Sequence, residues 1–220
     1  MNDAKGVSTS MEAGYLKLEG EYNKLYRQAV GTLLYVAAIG ILCTRVSTSR
    51  QGDWNTRKRV MKYLKQTISF KLMISADHDL DLVGYVDSDW GGDIRDRKST
   101  SGFFYQLGQS PISRSSKKQV SVVLSSTEAK YVSAAYASQE AIWLRQLLDD
   151  LGVAAIQPTL MYEDNQGCNK LAASEKMNAR TKHTDIRYHH LRHLVDHGVV
   201  KFAYCETDRM VADALTKPLP

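Results

Sequence analysis

The order in which two side-chain periodicities succeed each other from residue 80 onward constrains this chain more than any other feature. DLVGYVDSD (81–89) alternates with period two, which puts Val83, Tyr85 and Asp87 on one face of a strand and Leu82, Gly84 and Val86 on the other. GGDIRDRKST follows as a polar, glycine-led loop. SGFFYQLG and the run up to VSVVLS read as two further strands, joined near Gln109–Ser110–Pro111. A long helical pattern then covers about Thr127 to Leu151. After Gly152 and Pro158 come the strand TLMYED, a helix from about Asn165 to Ala173, and the basic loop EKMNARTKH. A helix from about Asp185 to His197 ends at Gly198, followed by the strand VVKFAYC and a final helix, RMVADALTK. This order predicts an α/β domain whose mixed sheet is antiparallel first and parallel later.

Residues 1–75 read differently, as a helical extension. Tyr22 to Cys43 is one helix, and Trp54 to Gln66 is another, with Val60, Tyr63 and Leu64 at helical spacing. Its basic face (Arg57, Lys58, Arg59, Lys62, Lys65) is either a phosphate contact or an ordinary solvated face. The apolar run LLYVAAIGILC is too short to span a bilayer comfortably; it reads as a buried helix, with an amphipathic membrane contact as the alternative, and no membrane partner is expected. A chain of 220 residues accommodates one ordinary domain plus such an extension. The net charge of +5 and pI near 9.0 favour an anionic partner, nucleic acid first, with plain solubility as the competing explanation. The three cysteines show no metal-type spacing, and their odd count implies no disulfide partner. Reduced thiols and a polar N-terminus without signal-peptide character point to an intracellular protein, cytoplasmic or nuclear.

Chemistry concentrates in the carboxylates. Asp87 ends the first strand and Asp164 ends the fourth, where Leu160, Tyr162 and Asp164 share a face. Carboxylates at the ends of neighbouring strands can converge on a hard divalent cation, and a pair of such ions supports phosphodiester hydrolysis. Aspartates also commonly end strands as turn residues.

The motifs GYVDSDWGGDIRDRKSTSGF, SSKKQVSVVLSSTEAKY, YEDNQGC, RTKHTDIRYHHLR and MVADALTKPL occur in this order. Over residues 80–220 they resemble the ribonuclease H domain of copia-type retrotransposon Pol polyproteins. YRQAVGTLLYVA and WNTRKRVMKYLKQT resemble the end of the preceding reverse transcriptase, so residues 1–75 look like a truncated remnant of its connection region. The segment that usually separates these blocks is missing, as is the polymerase's YVDD-type motif, so polymerase activity is not expected. The resemblance implies a ribonuclease H-like fold, a five-stranded mixed sheet flanked by helices. It also implies a two-ion Mg2+ site, an RNA–DNA hybrid or other nucleic acid as partner, and cleavage of the RNA strand. Matched motif by motif, Asp87, Asp164 and Asp213 become catalytic residues and metal ligands, with Asp89, Glu128 and His183 as auxiliary candidates.

One position departs. The family usually reads SSTEAEY where this chain reads SSTEAKY, which puts Lys130 where the fourth carboxylate belongs. The helix supports that alignment independently. Ala134, Ala137, Ala141, Leu144, Leu148 and Leu151 form an inward seam, and one step back reaches position 130, not 128. Ser125 and Glu128 fit a capping box instead. An ammonium about 5 Å from a divalent ion is repelled by roughly 7 kcal/mol at an effective dielectric of about 20. Mg2+ affinity and hydrolysis are therefore expected to be impaired while the fold persists.

Lys117, Lys118, Arg180 and Lys182 are candidates for phosphate contacts that carry no sequence information, or are ordinary solvated cations. Arg114 stands where the family often has tryptophan. His189, His193 and His197, spaced i, i+4, i+8, are formally compatible with a transition metal. The alternatives to an enzyme are a catalytically inactive nucleic-acid-binding or interaction protein, effector-like or a fragment of a degenerate element. The polar N-terminus and the lack of an R-x-L-R motif count against the effector version.

Overall fold

The computed structural model describes residues 51–66, 68–69, 80–153, 157–173 and 185–217. The expected helix Tyr22 to Cys43 and the candidate residues Arg180, Lys182 and His183 lie outside them. The chain divides into two compact units: Met1–Leu72 with Asp93–Arg95 and Lys217–Pro220, and Met73–Gly92 with Asp96–Thr216.

In the first unit, helix α1 spans Gln51–Gln66, beginning three residues before the expected Trp54. Val60 on it is wholly buried, while Lys58 is exposed and Arg59, Lys62 and Lys65 are half-buried.

The second unit holds a five-stranded sheet in the order β3-β2-β1-β4-β5. Its strands are β1 Leu82–Ser88, β2 Thr100–Leu107, β3 Ser110–Lys118, β4 Thr159–Glu163 and β5 Val200–Tyr204. Helix α2 (Ser126–Asp150) joins β3 to β4, and α3 (Gln166–Ala173) and α4 (Asp185–Asp196) join β4 to β5. The pairs β1–β2 and β2–β3 are antiparallel, and β1–β4 and β4–β5 are parallel. This is the mixed, open sheet flanked by helices that the pattern predicts.

The alternation in β1 explains why it is central. Leu82, Gly84 and Val86 are buried beneath α2, whose Ala134, Ala137 and Ala141 are small enough to lie close against the strands. Tyr105 of β2 crosses directly over Gly84, where a Cβ would stand 2.5 Å from its Cε1. Its hydroxyl donates to Ala137 O at 2.6 Å, which satisfies a buried polar group and ties sheet to helix. Met161, Cys168, Leu191, Leu194 and Val200 complete the core.

Three expectations are corrected. The third strand stops at Lys118, opposite the start of β2 at Thr100, and VSVVLS is not strand; one further backbone bond, Gln119 N to Ser99 O at 2.8 Å, closes the ladder before it. The seam of α2 ends at Leu148, since Leu151 caps the helix and is exposed. The final helix is short: a 3-10 turn at Thr207–Arg209 is followed by extended backbone at Met210, so α5 covers only Asp213–Thr216. Among the described residues no helix is long and apolar enough to cross a membrane.

Candidate metal centre

Parallel pairing of β1 with β4, in the register Tyr85↔Tyr162, brings the C-terminal ends of these strands side by side. Asp87 is the penultimate residue of β1 and has no solvent exposure, and Asp164 follows β4 directly. Asp213 opens α5, which packs on β2 across Gly102. One oxygen from each of Asp87, Asp164 and Asp213 lies within 4.8 Å of the others. The structure thus gathers three carboxylates that are far apart in sequence.

The two strand-end aspartates are held from several sides. Ser133 Oγ of α2 donates to Asp87 O at 2.7 Å, and the Thr216 hydroxyl donates to Asp87 Oδ2. Thr207 Oγ1 donates to Asp164 Oδ2 at 3.1 Å. Gln119 Nε2 donates to Ala129 O and Ser101 Oγ, both at 2.9 Å, and so pins the start of α2 to the sheet.

Lys130 enters this cluster from the first turn of α2. The helix is started by Ser125, whose Oγ accepts from Glu128 N at 3.1 Å, while Glu128 Oε2 accepts from Leu124 N at 2.8 Å. Glu128 therefore spends its carboxylate on the helix start, and the next inward position carries the ammonium of Lys130. That ammonium lies 2.5 Å from Asp87 Oδ1 and 3.3 Å from Glu163 Oε1, and it donates to Asp164 Oδ1.

The electrostatics follow from burial and proximity. Burial works against the charge of Lys130, but the carboxylates of Glu163 and Asp87 and the hydrogen bonds to Asp164 and Asp87 outweigh it, so its pKa stands above the ordinary lysine value. Burial pushes the Glu163 carboxyl up to about 8 against the opposing pull of Lys130. Asp164 is also partly desolvated, yet its hydrogen bond from Lys130 leaves it below the usual aspartate value.

Oxygen donors of this kind suit a hard divalent cation. The cluster as it stands does not fit one. An ammonium already bridges Asp87 and Asp164, and it supplies repulsion where a fourth carboxylate would supply attraction. The arrangement is a buried ion-pair network in which Asp87 and Asp164 share one ammonium.

Other candidate residues are placed elsewhere. β1 stops at Ser88, so Asp89 does not continue its face. The Asp89 carboxylate accepts from Thr100 N and lies over Gly92, where a Cβ would stand 1.8 Å from Oδ2. Lys118 pairs with Asp96 at 2.7 Å, and Lys117 Nζ stands 5.8 Å from the centre of the Tyr136 ring. Arg114 is exposed on β3. The His193 and His197 rings lie 3.9 Å apart, with His197 Nδ1 at 2.8 Å from His193 O. They belong to no metal-binding group among the described residues.

Sequence reasoning missed Glu163, Thr207, Ser133 and Thr216. A signal for Glu163 was available: in TLMYED it alternates with Tyr162 and so shares the buried face of Thr159 and Met161. A glutamate on the buried face of an inner strand needs a charged partner or holds its proton. Nothing local marks the three hydroxyls, which act across long sequence separations.

No protein-family model matches the chain. It is 39% identical over 202 residues to the retrovirus-related Pol polyprotein from transposon RE2 of Arabidopsis thaliana, covering 88% of this chain and 14% of that protein. It is 34% identical over 241 residues to the corresponding polyprotein from transposon TNT 1-94 of Nicotiana tabacum, covering 100% of this chain and 18% of that one. The chain thus spans less than a fifth of these relatives. It is also 40% identical over 131 residues to the secreted RxLR effector protein 161 of Plasmopara viticola, covering 56% of this chain and 92% of the effector. Among solved structures, the N-terminal RNase H domain of a Mycobacterium tuberculosis protein matches 62% of this chain and 91% of its own, at 11% identity and a TM-score of 0.47.

Proposed function

We propose that this chain, which belongs to the copia-type family of retrovirus-related Pol polyproteins, carries the ribonuclease H segment of such a polyprotein with its metal centre closed by its own lysine. Residues 80–220 form that segment and residues 1–75 are the remnant of the reverse transcriptase connection region. The observation that carries the reading is the ammonium of Lys130 lodged between Asp87, Glu163 and Asp164. In an open centre Asp87, Asp164 and Asp213 would hold Mg2+, which supplies charge stabilisation and an activated water for endonucleolytic hydrolysis of RNA in an RNA–DNA hybrid. In this chain Asp87 and Asp164 are already engaged by Lys130. Binding of hybrid through Lys117, Lys118, Arg180 and Lys182 does not require the metal.

The test is cleavage of an end-labelled RNA–DNA hybrid in Mg2+ by the unmodified protein and by Lys130→Glu. The expected result is no cleavage above background by the former and metal-dependent cleavage by the latter. Efficient cleavage by the unmodified protein would sink the reading. A second reading, an interaction protein without turnover, is supported by the same lysine and by the effector relative that matches over most of its own length. Failure of Lys130→Glu to cut, with its fold intact, would favour it.

A further inference from the structure

Beside the closed centre lies a surface that neither the sheet nor the ion-pair network explains. Trp90 is 60% exposed, and its Nε1 donates to Val123 O at 3.4 Å. One edge of the indole is thereby held while most of the side chain stays exposed. The segment it holds, Gln119 to Ser125, is anchored from beneath: Val123 is buried against Ala129 and Val132. Gln119 N donates to Ser99 O at 2.8 Å. With those anchors set, Val120, Val122 and Leu124 point outward at 71%, 54% and 80% exposure. Contiguous exposed apolar side chains of this size mark a binding surface.

The charge around them selects the partner. From Trp90 to Leu124 the chain carries Arg95, Arg97, Lys98, Arg114, Lys117 and Lys118 against two acids, Asp93 and Asp96. Arg95 engages Asp93 at 3.0 Å and Lys118 engages Asp96 at 2.7 Å. An open indole flanked by aliphatic side chains and a surplus of cations matches a ligand with flat apolar faces and a polyanionic backbone. The stacking faces of paired bases are covered by their neighbours within a duplex, so an indole reaches them only where the strand is unpaired.

We infer that the surface formed by Trp90, Val120, Val122 and Leu124 binds an unpaired nucleic-acid strand, with a base stacked on the Trp90 indole and phosphates on Arg97, Lys98 and Lys117. This deepens the nucleic-acid reading above and rests on it. It is independent of whether the metal centre is open, because none of these side chains takes part in the Lys130 network.

The test uses the full chain and fluorescence anisotropy, with a labelled single-stranded oligonucleotide and, separately, a labelled blunt RNA–DNA hybrid. Trp90→Ala should weaken single-strand binding about 5- to 150-fold, the range for loss of one aromatic stacking platform. Trp90→Phe should keep most of the affinity. Lys117→Ala should lower the slope of log affinity against log salt by about 0.7. Leu124→Ser, at a still more exposed position, provides a second variant with no core contact to lose. Unchanged single-strand affinity in Trp90→Ala would overturn the inference. Binding of hybrid but not of single strand by the unmodified protein would overturn it while leaving the hybrid reading in place. Binding of neither would overturn both.

Discussion

Lys130 Nζ lies 2.5 Å from Asp87 Oδ1, on a carboxylate with no solvent exposure. Asp87 comes from the central strand and Lys130 from the helix that covers it, so this contact joins the two layers at the point where the carboxylates converge. A buried charge pair of this kind is weak evidence of net stabilisation, but breaking it from one side leaves uncompensated charge.

Lys130→Ala should therefore destabilise the protein by about 3–5 kcal/mol at neutral pH, measured by urea denaturation. Added Mg2+ should recover part of that loss, because a cation that binds only the folded cluster stabilises it by mass action. The unmodified protein should show no such Mg2+ dependence. Even a fifth of the roughly 7 kcal/mol repulsion between ammonium and ion corresponds to about a tenfold change in metal affinity.

The pH dependence of stability should carry the mark of Glu163. Its folded pKa of about 8 lies above the ordinary value of 4.5. Below about pH 4.5 the carboxyl is protonated in both states. As pH rises toward 8 the unfolded chain releases the proton and the folded chain retains it, so stability falls. The fall reaches about 1.4 kcal/mol per pH unit at its steepest and ends above the folded pKa. Asp164 works in the opposite sense: its contribution is present above its ordinary value of 3.8 and is lost as pH falls below that value, outside this window. Glu163→Gln should flatten the decline between pH 5 and 8. An unchanged slope in that variant would contradict the assignment.

Gly102→Val tests the other support of Asp87. A Cβ at Gly102 would stand 2.7 Å from Thr216 Cγ2 and 2.9 Å from Leu215 Cβ. Helix α5 must shift, and with it the Thr216 hydroxyl that donates to Asp87. The expected cost is about 1–3 kcal/mol, read as a drop of about 2–4 °C in melting temperature for each kcal/mol.

Glu128 and Asp164 should separate cleanly in a Lys130→Glu background. Glu128→Ala removes the reciprocal half of the cap on α2 and should cost about 1 kcal/mol of stability while leaving hybrid cleavage nearly unchanged. Asp164→Asn should abolish cleavage with little loss of fold. Equal loss of cleavage in both would show that Glu128 does more than start the helix.

Much of the arrangement follows from local sequence. The alternation of Leu82, Gly84 and Val86 set the buried face of β1, and the alanine–leucine seam set the face of α2. Extending that seam backwards pointed inward at position 130, which is 8% exposed. These features are legible because periodicity is a property of neighbouring residues. The misplaced boundaries have equally local causes: an edge strand whose ladder closes just past Lys118, and extended backbone at Met210 that cut the last helix short.

By itself, then, the sequence determined the α/β order, the family resemblance, and a lysine at an inward position where that resemblance leads one to expect a carboxylate. Only the tertiary structure decided what that lysine does. Whether an ammonium on a flexible stem swings out to water or turns inward depends on which acids the strand ends bring within reach. Asp87, Glu163 and Asp164 are 43, 33 and 34 residues from Lys130 in the chain, and no local pattern encodes their convergence. The parallel register of β1 with β4 supplies it, and the burial that comes with it makes Lys130 the cation those acids share.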